Sequence, residues 1–163
     1  MNNNIVLNPK IYLSPNDLVP HVELLRDQGK TIVFGNGCFE LLHVGHIRYL
    51  TAAKALGDVL ILAVNTDASF KTNKPDRIPV VPDYERFEVV AALEAVDFVV
   101  PLKDETPISL IQVLRPHIQA KGTDYNPETM PEKPYIEAYG GKIAIVGDPK
   151  DHSTTQILKT LKK

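Results

Sequence analysis

Thr31-Ile32-Val33-Phe34-Gly35-Asn36-Gly37-Cys38-Phe39-Glu40-Leu41-Leu42-His43-Val44-Gly45-His46 is the stretch that decides the fold. It opens with β-branched and aromatic residues that run into a glycine, the composition of a short strand. A glycine-bearing loop, residues 35–40, follows at once. From His43 the spacing turns helical: Ile47, Leu50, Ala53 and Leu56 recur every third residue, and Gly57 supplies a stop. A strand, a tight glycine loop and a helix in direct succession form the opening unit of a parallel α/β sheet.

The alternation continues on both sides of this unit. Upstream, Ser14-Pro15-Asn16-Asp17 reads as a helix start: Ser14 can cap, Pro15 suits the first turn, and Asp17 faces the positive helix end. That helix should stop at Gly29. Downstream, residues 59–64 are continuously apolar, as in a parallel strand buried on both faces. Residues 65–82 are polar and hold three prolines, which reads as an active-site loop. Asp83 can cap a helix running through Ala95, followed by a strand at 98–100. Thr106-Pro107 opens a helix closing near Pro116, and strands follow at 118–120 and 142–146. Ser153 starts a last helix. The expected fold is α/β: a Rossmann-like, doubly wound parallel sheet of about five strands with helices on both faces.

Composition narrows the function. The chain has 163 residues, 44% of them apolar and 23% charged, and a formal charge of −2. That balance gives no reason to expect nucleic acid or an anionic membrane as partner. The longest apolar run falls far short of the roughly 20 residues a membrane span needs. The start, Met1-Asn2-Asn3-Asn4-Ile5, lacks the basic and apolar blocks of a secretory signal. Cys38 is the single cysteine and fits a reducing compartment. A cytoplasmic location is expected.

In sheets of this kind ligands sit beyond the carboxyl ends of the strands, where the glycine loop and the two histidines fall. A helix amino terminus offers unpaired N–H groups and a positive dipole end, which together favour phosphate. If the helix begins at Val44, His43 and His46 project from one side. The pattern lacks the lysine and hydroxyl order of a P-loop and the third glycine of a dinucleotide fingerprint. A zinc site is disfavoured, because the pair has one cysteine nearby and no second cluster. No protein-held metal site is therefore expected. Cys38 fits a small buried filler better than a nucleophile.

Gly35-x-Gly37-x-Phe39 followed by His43-x-Gly45-His46 resembles the signature of the cytidylyltransferase-like nucleotidyltransferases. Ser153-Thr154-Thr155 is similar to their second signature at the start of a late helix. The resemblance runs from about Lys30 to the end. Within the superfamily the chain looks most like the adenylyltransferases of ADP-heptose synthesis. The stretches that carry this are residues 35–50 and 63–69, Glu85-Arg86, residues 91–94 and 104–107, Lys121-Gly122-x-Asp124-Tyr125, and Gly140-Gly141. The chain departs from the family pattern at Glu40, where aspartate is usual, at Pro75, where glycine is usual, before Ser153, and over residues 130–135.

The resemblance implies one nucleotidyltransferase domain over residues 1–163, with residues 1–30 a helical extension packed on it. It implies AMP transfer from ATP to a sugar 1-phosphate, D-glycero-D-manno-heptose 1-phosphate, with release of pyrophosphate. His43, His46 and Lys74 would be catalytic. Gly35, Asn36, Gly37, Cys38, Phe39, Gly45, Lys121, Ser153, Thr154 and Thr155 would bind the nucleotide. Glu40, Asp67, Lys71, Arg77, Asp124 and Tyr125 would bind the acceptor, with Lys71 the rival of Lys74 and Arg77 for its phosphate. Mg²⁺ would come bound mainly to the ATP phosphates, and relatives suggest a homodimer. Two rivals stand beside this reading. One is a cytidylyltransferase for glycerol phosphate, disfavoured because Asp148 and Lys150 stand where that branch has arginine and glutamate. The other is a non-catalytic nucleotide-binding module, disfavoured by the intact histidines and Ser-Thr-Thr.

Overall fold

The computed structural model describes residues 8–149 and 154–161. Five strands, β1 (Ile32–Gly37), β2 (Val59–Asn65), β3 (Phe98–Leu102), β4 (Ile118–Lys121) and β5 (Lys142–Ile145), form one sheet in the order β3-β2-β1-β4-β5. Every neighbouring pair is parallel. The chain winds outward from β1 to β3, then returns to the other side of β1 at β4. This reversal is the topological switch at which a doubly wound sheet opens a crevice. β2 is buried at all seven positions, as its unbroken apolar run requires.

Helices α1 (Pro15–Asp27), α2 (Val44–Lys54), α3 (Asp67–Asn73), α4 (Asp83–Ala91), α5 (Ile108–Leu114), α6 (Lys133–Glu137) and α7 (Thr154–Leu161) connect the strands. Side chains alternate across the sheet and so divide the core in two. Val33, Leu60, Leu62, Val64 and Val99 pack with Leu50 and Ala53 of α2 and with Phe87 and Val90 of α4. Ile32, Phe34, Ile61, Ala63 and Val100 pack with Leu18 and Val22 of α1 and with Ile111 and Leu114 of α5. Helices therefore cover both faces.

Ahead of α1 the backbone lies along β3. Ile11 bridges to Val99 in parallel, with Tyr12 N–H donating to Val99 O at 2.9 Å and Val99 N–H to Lys10 O at 2.8 Å. The Lys10 ammonium donates to the carbonyls of Val96 at 2.7 Å and Leu93 at 3.2 Å. α1 ends at Asp27, and Gly29 follows with φ +76°, a left-handed residue suited to glycine. Among the described residues, no helix is long and apolar enough to cross a membrane.

Two expectations need correction. Residues 65–82 are not all loop, because the Thr66 hydroxyl accepts from Ser69 N–H and starts α3, whose Phe70 is fully buried. α4 ends at Ala91, not Ala95, with Pro82 as its N-cap and Asp83 as its first residue. Between β4 and β5 the chain also forms α6, preceded by a 3₁₀ turn at Pro127–Thr129 that Asn126 caps.

Candidate nucleotide site

β1 carries its strand pairing through Gly37, so Asn36 and Gly37 stand at the sheet's carboxyl edge, beside the switch. Neither glycine of the loop has a positive φ. The left-handed residue is Phe39, at φ +46°. Gly37 is small because a Cβ there would meet the Phe39 ring at 3.0 Å. Gly35 is small for another reason: a Cβ would lie 2.6 Å from the Tyr49 hydroxyl. That hydroxyl donates to Ala120 O at 2.9 Å, tying α2 to β4. Burial pushes the Tyr49 phenol well above its ordinary range, so the group remains a donor.

His43 is the N-cap of α2, in extended conformation at φ −143°. Its N–H donates to Nδ1 of His46 at 3.4 Å, which leaves the second ring nitrogen of a neutral His46 as the proton carrier. The two imidazoles stack with centroids 3.9 Å apart and planes at 30°, and Phe39 lies against His46 at 5.2 Å. Two stacked rings at the positive end of an eleven-residue helix are suited to a polyanion.

They open on a cavity of about 300 Å³ at the carboxyl ends of β1, β4 and β5. Of the residues singled out from the sequence, Asn36, Gly37, Cys38, Phe39, His43, Gly45, His46, Lys74, Lys121, Asp124, Tyr125 and Thr154 line it. Thr154 opens α7, and its hydroxyl donates to Leu41 O at 3.4 Å. Ser153 lies outside the described residues, as does the side chain of Thr155. Cys38 is half-buried, and burial pushes its thiol up, as befits a filler rather than a nucleophile.

Gly35, Glu40, Asp67, Lys71 and Arg77 do not line the cavity. The Glu40 carboxylate is buried and accepts from the Arg77 guanidinium at 2.5 Å and Val80 N–H at 3.1 Å. The extra methylene thus reaches into the loop at 77–80, and the two expected substrate ligands neutralise each other. Asp67 pairs with Arg86 at 2.9 Å, and Lys71 is exposed.

Two residues escaped the sequence reading. Arg86, 1% exposed, donates to Val81 O at 3.0 Å, to Cys38 O at 2.5 Å and to Asp67, joining the glycine loop to the start of α3. Glu132 is buried against Lys121 at 2.9 Å, where the ammonium also lies 4.7 Å from the Tyr125 ring centroid. The clue to Arg86 was Glu85-Arg86 on the polar start of a helix that otherwise packs inward. Glu132 had no periodic signal. At the rim, Arg48 holds the Asp148 carboxylate, and the Thr123 hydroxyl donates to Asp148 O at 2.7 Å.

A parallel sheet that meets two histidines and an open cavity at its carboxyl edge places the molecule among the nucleotide-binding α/β proteins. Residues 34–159 match the model of the cytidylyltransferase-like family, and the chain belongs to that family. It is 45% identical over 140 residues to the bifunctional protein HldE of Syntrophotalea carbinolica, covering 86% of this chain and 29% of that protein. To the bifunctional protein HldE of Methylobacillus flagellatus it is 42% identical over 146 residues, covering 90% and 30%. The chain thus spans under a third of the length of these curated relatives. Among solved structures, it is similar to the lipopolysaccharide core biosynthesis protein from Thermoplasma volcanium: TM-score 0.65, 27% identity, 75% of this chain and 100% of that one. The pantoate-beta-alanine ligase from Francisella tularensis, solved with an ATP analogue and beta-alanine, shares the fold at TM-score 0.60 and 18% identity, over 93% of this chain and 76% of that one.

Proposed function

We propose that the protein is an adenylyltransferase that moves AMP from ATP onto D-glycero-D-manno-heptose 1-phosphate, releasing pyrophosphate. The observation that carries this reading is the stacked His43–His46 pair on the α2 amino terminus, facing a cavity at the sheet switch. Likeness to HldE proteins and to a lipopolysaccharide core biosynthesis protein supports the sugar.

The chemistry is in-line displacement. A phosphate oxygen of the acceptor bonds to the α-phosphorus as the bond to the bridging oxygen breaks, and pyrophosphate leaves with that electron pair. Such transfer needs positioning and charge stabilisation more than an enzyme nucleophile. His46, with its proton held on the nitrogen away from the His43 amide, donates to the departing phosphates, and His43 backs it in the stack. Asn36 and Gly37 lie against the nucleotide. Thr154 and the α7 amino terminus take a phosphate. Lys74, whose ammonium lies 5.2 Å from the centroid of the Phe70 ring, is the cation that meets the acceptor phosphate, and Asp124 and Tyr125 meet sugar hydroxyls.

The donor set fits Mg²⁺ carried by the nucleotide. No group of three or more histidine, cysteine, aspartate or glutamate side chains placed to hold a metal occurs among the described residues. Of the two carboxylates lining the cavity, Asp148 pairs with Arg48. Asp124 would hold the ion through water, and the metal would supply neutralisation of triphosphate charge. The reading extends to a cytoplasmic homodimer, whose mass light scattering would check.

Pyrophosphate release, measured with ATP or CTP against a panel of phosphate esters, tests the proposal. ATP with the heptose phosphate should give the highest kcat/KM. A site that hydrogen-bonds sugar hydroxyls rejects analogues lacking them by as much as roughly 10⁴, so glycerol phosphate should be poor. Preference for CTP, or for another ester, would overturn the assignment.

A further inference from the structure

A second cavity, of about 240 Å³, lies at the opposite, amino-terminal edge of the sheet, lined by Arg26, Arg115, His117, Tyr139, Gly140 and Gly141. β4 connects the two: His117 precedes its first residue, and Lys121 at its end lines the nucleotide cavity. Four residue steps, from His117 to Lys121, separate them by about 13 Å. None of the six lining residues is acidic. Neither Arg26 nor Arg115 makes an ion pair among the described residues.

The Arg26 guanidinium is fixed by donating from one nitrogen to Leu114 O at 2.9 Å and Arg115 O at 3.0 Å, at the carboxyl end of α5. Arg115, in left-handed backbone at φ +46°, lies with its guanidinium 5.2 Å from the Tyr139 ring centroid. The Tyr139 hydroxyl is buried and has no hydrogen-bond partner among the described residues. Burial raises its pKa to about 12, against the pull of both arginine charges. The His117 ring accepts Ile32 N–H at Nδ1, 2.9 Å away. The hydroxyl lies too deep to meet a ligand, but the two guanidinium groups line the cavity with no carboxylate among its lining residues, and an anion that accepts from both would supply the counter-charge.

We propose that this cavity binds the phosphate group of a small metabolite or free phosphate, at a site separate from the nucleotide site. Two guanidinium cations match a dianion better than a monoanionic carboxylate, and their forked donors suit phosphate geometry. The site does not depend on the reaction assigned to the other edge.

The test is a titration of ¹⁵N-labelled full chain with inorganic phosphate, with a non-hydrolysable ATP analogue present to fill the nucleotide cavity. The amides of His117, Gly140 and Gly141 should shift saturably, and acetate should bind more weakly than phosphate. Removing one charged donor with Arg115→Gln should weaken phosphate binding on the order of tenfold, whereas Tyr139→Phe, which removes only the buried hydroxyl, should leave it unchanged. His46→Ala should leave these shifts unchanged. Thermal melts establish that each variant is folded, and Tyr139→Phe keeps the ring that Arg115 covers. No saturable shift at these amides, undiminished affinity in Arg115→Gln, or equally tight acetate would each overturn the proposal. Shifts seen with free phosphate but not with methyl phosphate would assign the site to the inorganic ion, and shifts with both to phosphorylated metabolites.

Discussion

The two edges of the sheet hold charged groups in opposite ways, although Asn36 Oδ1 at the carboxyl edge is also buried without a partner among the described residues. At the carboxyl edge each buried charge has a partner: Glu132 holds Lys121, and Arg77 holds Glu40. The Tyr49 hydroxyl is likewise seated on Ala120 O. At the amino edge, among the described residues, two guanidinium groups lack carboxylates and the Tyr139 hydroxyl lacks any acceptor. The first arrangement fixes side chains before substrate arrives, which is how preorganised charge stabilisation works. The second leaves its guanidinium groups to be completed from outside. Two half-buried tyrosines, one with a hydroxyl partner and one without among the described residues, make a second contrast measurable.

The largest effect should come from Glu132→Ala. It strands a buried ammonium, and breaking such a pair typically costs about 3–5 kcal/mol. Urea unfolding measures this, and a loss below about 1 kcal/mol would place Lys121 in the range of an exposed pair. Next comes His46→Ala, which should lower kcat on the order of 10²–10³, as loss of one preorganised donor does, with the melting temperature little changed. Near-normal turnover in the folded variant removes His46 from the chemistry. Tyr49→Phe should cost about 1 kcal/mol, since one net hydrogen bond is lost. Tyr139→Phe, by contrast, should be neutral or slightly stabilising without phosphate. Equal losses in the two phenylalanine variants would erase the contrast.

The smallest effect concerns pH. Burial, and secondarily the Arg26 charge, lower the His117 pKa below its ordinary 6.5. The unfolded chain therefore binds the proton more readily, so stability is present above about 6.5 and declines as pH falls below it. His117→Gln should flatten that part of the pH–stability curve. An unchanged curve would show that His117 titrates alike in both states.

How legible the molecule was depends on whether its signals were local. The run at 59–64 and the change to helical spacing at His43 are local, and they placed β1, β2 and α2 and with them the switch. α3 was hidden, because three prolines in 65–82 outweighed the short capping signal of Thr66 and Ser69. α6 begins among prolines and was hidden likewise. The histidine pair was legible because both members sit three residues apart on one helix start. The Arg86–Asp67 and Lys121–Glu132 pairs span loops, so no spacing rule points to them. Glu40 and Arg77 were each read as facing substrate, although folding turns them toward each other.

The strip of backbone at Lys10–Tyr12 lies outside the stretch matched to the family, yet it occupies the free side of β3. Uncovered, that side would present unpaired amides and carbonyls from an apolar strand, a template for pairing with other chains. The two main-chain bonds to Val99 and the clamp of Lys10 on Val96 and Leu93 therefore act as an edge guard. Removing residues up to Tyr12 would keep every residue of the nucleotide cavity and of α1 and give up protection against aggregation.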